Sequence, residues 1–237
     1  MSNDYFQFKK FTIRQDRCAM KAGTDGVLLG AWASAPGDCR ILDVGAGTGL
    51  VALMLAQRFE QAVIDAIEID EDAYYQSIDN IAQSPFKNNI NVVKGDFLKY
   101  FTATKYDLIV SNPPYFDRAL KSPDKKRTAA RHNDLLPLKS LIEQTMLMLT
   151  EEGRIALILP TQLSDNMDFI IASHGLFVTR YTKVIPVEGA RPKRFLIEIS
   201  TKSMPLRQTE LTLMTKDRRM TPQYAELTGD FYLDSTV

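Results

Sequence analysis

The chain has 237 residues, 45% of them hydrophobic and 24% charged, with 29 basic side chains balancing 29 acidic ones. That length suits one large domain, and the composition excludes a disordered, collagen-like or disulfide-stapled protein. No stretch approaches the ~20 apolar residues of a membrane span, and Met1 to Lys10 lacks the apolar core of a secretory signal, so a cytoplasmic protein with no membrane contact is expected.

In chain order, Phe6 to Met20 reads as a hairpin of alternating residues and Thr24 to Ser34 as a helix. Residues 1–35 form this N-terminal element of a single domain, 36–201 its core and 202–237 a C-terminal extension. From Arg40 onward, short apolar runs alternate with segments of helical period, which predicts an α/β fold with a parallel sheet and covering helices. The strands fall at Arg40 to Val44, Val63 to Ile69, Ile90 to Lys94, Asp107 to Ser111 and Arg154 to Leu159. Between the last two, Leu138, Leu141, Ile142, Thr145, Met146 and Leu149 share a helix face, with Pro137 near its start and Gly153 beyond its end. A further helix, Gln162 to His174, stops at Gly175, and strands follow at Phe177 to Ile185 and Phe195 to Thr201. The loop between those two, Glu188 to Pro192, is too short for a crossover, so they form an antiparallel pair at the sheet edge.

Cys18 and Cys39 form no CxxC, and His132 and His174 show no ligand spacing, so no metal is expected and both thiols read as small buried residues.

Asp43, Val44, Gly45, Ala46, Gly47, Thr48 and Gly49 follow the first core strand and open a helix, Leu50 to Arg58. In that context the glycines let a ligand approach the backbone closely, as nucleotides do. The spacing is GxGxG, and an Asp beside the loop would repel a pyrophosphate but accept a hydrogen bond from an amino group. S-adenosylmethionine fits this better than NAD. Glu68 ends the second strand about twenty residues on, where ribose hydroxyls would lie, with Ile69 beside it. Asp96 and Phe97 close the third strand and suit the amino group and face of an adenine; as a helix N-cap Asp96 is equally explained.

Ser111, Asn112, Pro113, Pro114, Tyr115 and Phe116 follow the fourth strand and carry the most specific signal. Two prolines restrict the loop, so the Asn112 side chain and the Pro113 carbonyl are presented together as acceptors. An exocyclic amino group held between them is stabilised as positive charge develops on nitrogen, and Tyr115 would stack on the base. Such a displacement at a sulfonium methyl rests on alignment and demands no metal.

The charge is uneven. Glu60 to Asp79 carries seven acidic residues and no Lys or Arg. Arg118, Lys121, Lys125, Lys126, Arg127 and Arg131 face Asp124 alone, and a second basic stretch from Arg180 to Arg207 includes Arg191, Lys193 and Arg194. On one face these stretches would dock a polyanion; solvated surface charge explains them as well.

Together the glycine loop, Glu68, Asp96 and Asn112 to Tyr115 resemble the class I S-adenosylmethionine-dependent amino-methyltransferases with the NPPY motif. Lys21 to Trp32 (KAGTDGVLLGAW) and Tyr224 to Leu233 (YAELTGDFYL) further resemble the bacterial tRNA1(Val) adenine(37)-N6-methyltransferases. The resemblance implies a seven-stranded Rossmann-like sheet with its last strand reversed, S-adenosylmethionine as donor with S-adenosylhomocysteine as product, and N6 of the adenine 3′ of the anticodon as acceptor. It further implies that Lys21, Gly23, Thr24 and Asp25 close over the methionine end of the cofactor, and that Asp43, Gly45, Ala46 and Gly47 form its floor. Glu68 would take the ribose, with Ile69 beside it also binding the cofactor, Asp96 and Phe97 the adenine, and Asn112, Pro113, Pro114 and Tyr115 the target base, with Asn112 also reaching the cofactor.

The basic stretches would then track phosphates of a tRNA anticodon arm, whose loop bases turn out at low cost, and no obligate protein partner is implied. Four alternatives compete: methylation of an rRNA adenine or guanine, methylation of a DNA adenine, methylation of a protein glutamine amide, and a non-catalytic cofactor-binding RNA chaperone. The amide and DNA enzymes carry recognition domains for which about twenty residues before Lys21 and 36 after Thr201 leave little room. Intact Asn112 and Tyr115 argue against the chaperone.

Overall fold

The structure, a computed structural model, describes residues 4–18, 20–114 and 138–233. Its centre is a sheet in the order β10-β8-β9-β7-β6-β3-β4-β5. The strands β3 (Arg40–Val44), β4 (Val63–Glu68), β5 (Ile90–Lys94), β6 (Tyr106–Ser111) and β7 (Leu149–Pro160) run parallel, while β9 (Arg194–Ser200) runs against both β7 and β8 (Phe177–Val187). Ile41, Leu42, Leu108, Ile109, Val110, Ile155 and Leu157 are buried along the middle strands, which is why these runs are continuously apolar and not alternating.

The seven expected strands are present with the seventh reversed, but the sheet has an eighth. β10 (Arg207–Met214) lies parallel to β8 on its outer side, so the antiparallel pair β8 and β9 sits inside the sheet and not at its edge. Only the second half of β10 alternates, burying Leu211 and Leu213, while Arg207 to Glu210 are exposed. Gly153 likewise differs from expectation. It lies within β7, four positions past the strand's start, where a Cβ would stand 2.8 Å from the Tyr106 carbonyl oxygen. Glycine is required there by close backbone approach beside the register shift between Tyr106 and Leu108, and not by a helix end.

One face of the sheet is covered by α1 (Thr24–Trp32), α2 (Leu50–Arg58) and α3 (Glu71–Ala82), the other by α4 (Leu138–Met146) and α5 (Ser164–Ser173). α1 is buried from Gly26 to Trp32, and a Cβ on Gly30 would meet Met54 of α2 at 2.8 Å, so Gly30 sets how closely these two helices pack. The expected hairpin is β1 (Tyr5–Gln7) with β2 (Thr12–Arg14), stacked against α3. Beyond β10, α6 (Pro222–Thr228) leads back to it: Phe8 bridges Tyr232, and Phe8 also stacks on Phe11. Among the described residues no helix is long and apolar enough to cross a membrane.

Candidate active site

The expected site residues converge because parallel strands end together. In register, Val44 is paired with both Ile67 and Ser111, Glu68 with Lys94, and Ser111 with Leu157. The loops after β3, β4, β5 and β6 therefore emerge side by side at the carboxyl edge, where ligands bind in open α/β sheets. β9 enters the sheet at the same edge, since Arg194 is paired with Pro160 at the end of β7.

Gly45, Gly47 and Gly49 all have φ between 56° and 81°, left-handed backbone that other residues rarely adopt. The turn is held from β4: the Gly45 and Ala46 N–H groups donate to the Ile67 carbonyl at 2.9 and 3.1 Å. A Cβ on Gly45 or Gly47 would meet nothing within 4 Å, so the loop borders open space on the side a ligand would approach.

Two buried carboxylates support this loop. Glu68, 7% exposed, accepts the Gly47 N–H at 2.7 Å through Oε2 and the Asp70 N–H at 2.8 Å through Oε1. Asp43, 1% exposed, accepts the Ala52 N–H at 3.1 Å. Because Gly49 at the N-cap of α2 has no side chain, Asp43 caps that helix from the neighbouring strand. Burial raises both groups. The Asp43 carboxyl is pushed up to about 7 by burial, opposed by the Ala52 N–H and reinforced by nearby Glu68. Glu68 is raised by burial against three backbone N–H groups that favour its ionised form. Neither has an ion-pair partner among the described residues.

At the end of β6 the Ser111 hydroxyl donates to the Val44 carbonyl at 2.8 Å, locking the chemistry loop to the glycine loop's strand. Ser111 carries no signal of this role in the sequence beyond its place before Asn112. Asn112 is half-buried, Pro113 buried and Pro114 exposed. Tyr115 and the basic run Arg118, Lys121, Lys125, Lys126, Arg127 and Arg131 lie outside the described residues.

The remaining expectations meet different fates. Ile69 is 60% exposed and offers an apolar surface next to Glu68. Asp96 is the N-cap of a short 3-10 turn, accepting the Leu98 N–H at 3.0 Å, while its other oxygen lies 3.4 Å from Lys99 Nζ. Phe97, 4% exposed, packs into the core with Leu42, Ile67 and Tyr106, so its ring is spent on the core and does not offer the adenine-stacking face expected of it. Gly23 is the N-cap of α1, Thr24 its first residue, and Lys21 lies 3.7 Å from Asp4. Asp25 accepts the Arg194 Nε–H at 2.8 Å, joining a residue expected on the cofactor side to one expected on the RNA side. Arg191 and Lys193 are exposed on the turn before β9. Both thiols are buried and pushed up, Cys18 to about 12 and Cys39 to about 11, chiefly by burial, which suits inert packing.

This arrangement fits a ligand with an adenosine at one end and positive charge at the other. Left-handed glycines border the space, Glu68 and the exposed Ile69 stand together beside it, and two uncompensated carboxylates would lower the energy of a bound cation. Among the described residues no three His, Cys, Asp or Glu side chains cluster as metal ligands.

Comparison with known proteins agrees with this geometry. Residues 23–170 match the family model described as "Methyltransferase small domain". A curated protein of Parabacteroides distasonis is 50% identical over 98% of this chain and 99% of its own length. One of Bacteroides thetaiotaomicron is 47% identical over 98% and 99%. Both carry the name "tRNA1(Val) (adenine(37)-N6)-methyltransferase". Among solved structures, a predicted O-methyltransferase of Agrobacterium tumefaciens superposes with a TM-score of 0.67 at 22% identity, covering 90% of this chain and all of that one. A glycopeptide N-methyltransferase complexed with sinefungin gives a TM-score of 0.54 at 12% identity over 77% of this chain and 89% of that one, a likeness of fold alone.

Proposed function

The chain belongs to the tRNA1(Val) (adenine(37)-N6)-methyltransferase family, and from that membership we propose that it transfers a methyl group from S-adenosylmethionine to N6 of adenine 37 of tRNA1(Val). The observation that carries this reading is the pairing of Val44 with both Ser111 and Ile67, which brings the residues that follow each of them, the glycine loop, Asn112 with Pro113, and Glu68, out together at one edge of the sheet.

Gly45, Ala46 and Gly47 form the cofactor floor. Glu68 holds the ribose hydroxyls through lone pairs its backbone N–H donors leave available, Ile69 covers the adenine, and Asp96 takes the adenine amino group. Asp43 and the segment 21–25 hold the methionine end. When bound, S-adenosylmethionine supplies a methyl group on a cationic sulfonium, and the electrons of the broken C–S bond stay on sulfur to leave S-adenosylhomocysteine. Asn112 Oδ1 and the Pro113 carbonyl accept the two N6–H groups, turn the nitrogen lone pair toward the methyl carbon, and steady the charge that builds on nitrogen as the N–C bond forms. Tyr115 stacks on the base, and the surplus proton passes to water after transfer.

The RNA is an anticodon arm, its loop presented to the carboxyl edge and its phosphates met by Arg191, Lys193 and the run from Arg118 to Arg131. Arg194 serves the cofactor segment through Asp25. The chain acts as one domain, a reading supported by β10 and α6 packing onto the same sheet and helices as the core, and it acts in the cytoplasm, a reading supported by the tRNA named as substrate of its relatives.

The test is nucleoside mass spectrometry of unmodified tRNA incubated with the protein and labelled S-adenosylmethionine. Labelled N6-methyladenosine is expected with wild type; no label in any tRNA, from protein that binds S-adenosylhomocysteine, overturns the reading.

A further inference from the structure

We infer that Gln15 and Asn80 are positioning residues of the cofactor site, forming a hydrogen-bonded relay from the glycine loop to the segment that closes over the methionine end. Three stretches far apart in sequence meet at Asn80. Its Nδ2 donates to the Thr48 carbonyl of the glycine loop and to the Arg14 carbonyl of β2, each at 2.9 Å, and its Oδ1 accepts the Arg14 N–H at 2.9 Å. The amide thus pairs with Arg14 on both backbone groups, as a neighbouring strand would, while its second N–H reaches the loop. Asn80 is 2% exposed, so water cannot take over these bonds when the side chain is lost.

The relay continues through the next residue. Gln15 is buried, its own N–H donates to the Asp4 carbonyl at 2.8 Å, and its side-chain Oε1 accepts the Ala22 N–H at 2.9 Å. Ala22 immediately precedes Gly23, the N-cap of α1, so this bond sets where the segment 21–25 enters the helix. One turn back on α3, Gln76 accepts the Arg17 N–H at 3.1 Å and pins the same stretch from its other side. The far end of the segment is fixed independently by Asp25 with Arg194.

The glycine loop and segment 21–25 therefore share one frame, built through β2 and α3. A displacement of the Thr48 carbonyl moves Asn80, Arg14 and Gln15 and reaches Ala22. None of these side chains needs to touch the reacting atoms. Their contribution is to hold floor and cover at the spacing one ligand requires, so their loss should fall on cofactor affinity and spare the RNA.

This inference rests on the reading that the glycine loop holds S-adenosylmethionine, and its test separates the two. S-adenosylhomocysteine binding is measured by calorimetry on wild type, Gln15→Leu, Gln15→Glu, Asn80→Asp and the Gln15→Leu/Asn80→Asp double variant, with KM for tRNA as the control. Gln15→Leu keeps the volume and removes the acceptor, and weakens binding about tenfold, the worth of one buried hydrogen bond; Gln15→Glu restores an acceptor oxygen and recovers most of it. The double variant is no weaker than the worse single one, because both cut the same relay. KM for tRNA stays within about twofold, a split that a general loss of packing would not produce. Unchanged affinity in Gln15→Leu, equal loss in Gln15→Glu, or losses that multiply in the double variant overturn the relay alone. Wild-type protein that binds no S-adenosylhomocysteine overturns the cofactor reading beneath it.

Discussion

Two buried acidic sites in this protein are built on opposite principles. Glu198 on β9 is surrounded by its own answer: Arg154 Nη1 at 3.1 Å, the Thr179 hydroxyl at 2.7 Å and the Ser34 hydroxyl at 3.0 Å. Arg180 lies alongside, its guanidinium 3.6 Å from the centre of the Trp32 ring and its Nη2 bonded to the Trp32 carbonyl. Glu68 and Asp43 at the carboxyl edge accept from backbone N–H groups and have no basic side chain paired with them among the described residues. Backbone N–H groups orient a carboxylate without cancelling its charge. The first site completes itself on folding; under the proposed function the second is completed by a ligand that brings a sulfonium and an ammonium.

The contrast breaks most visibly at the residue that acts on charge only while the reaction runs. Asn112→Ala is expected to lower methyl transfer by about 10²–10³-fold, as the loss of one preorganised polar partner of a developing charge does, with S-adenosylhomocysteine affinity little changed. Single-turnover transfer and calorimetry on one preparation check both halves; equal loss of affinity would move Asn112 into the binding machinery.

The two acidic sites themselves should respond in opposite currencies. Glu68→Gln sets an NH₂ group against the Gly47 or Asp70 N–H, so it disturbs the loop as well as removing charge, and cofactor binding should weaken about 10–100-fold. Glu198→Gln should leave that affinity alone and lower stability by about 1–3 kcal/mol, below the cost of breaking a fully buried pair because Arg154 is 35% exposed. Thermal melts and calorimetry of both variants draw the comparison; a Glu198→Gln protein with weakened cofactor binding would erase it.

The sequence displayed the ligand-completed site better than the self-completed one. Glycines at left-handed turns, an acid at a strand end and Asn before two prolines are local constraints, so GAGTG, Glu68 and Asn112 could be read in place. β3 and β5 were legible to the residue because their apolar runs are bounded by polar turns. β10 was not, since its first four residues are exposed and meet β8 through backbone and polar side chains, Thr209 with the Thr182 hydroxyl and Glu210 with Lys183, which leaves no apolar alternation to read. Phe97 was misjudged because its neighbour Asp96 suggested a ligand, while the short turn that Asp96 caps directs the ring inward. Asn80 had no local signal at all. Its partners lie 66 and 32 residues away, and only folding puts them around one amide.

An uncompensated carboxylate also makes a prediction in pH. Asp43 rises from its ordinary 3.8 to about 7 on folding, so the folded chain binds more protons than the unfolded one between those values. Stability of the ligand-free protein is therefore full below about pH 4 on this account and falls as pH rises toward 7, by at most about 1.4 kcal/mol per unit. A cationic ligand reverses the preference, since it favours ionised Asp43. Cofactor affinity should rise with pH up to about 7, by as much as about tenfold per unit, then level, and Asp43→Asn should flatten the profile. A wild-type affinity independent of pH between 6 and 8 would mean Asp43 is already ionised before the ligand arrives.

The smallest expected effect lies beyond both acidic sites, on the turn before β9. Arg191 and Lys193 are exposed, and Arg194 beside them is held by Asp25, so the first two can meet phosphates while the third holds the cofactor segment. Each phosphate contact contributes about 0.7–0.9 to the slope of log affinity against log salt. Arg191→Ala with Lys193→Ala should thus weaken tRNA binding modestly and reduce that slope by about 1.5, leaving S-adenosylhomocysteine affinity unchanged. Arg194→Ala should do the reverse, lowering cofactor affinity with the salt slope intact. If Arg194→Ala instead flattens the slope, its ion pair with Asp25 opens when RNA binds, and the cofactor segment and the RNA surface are one device and not two neighbours.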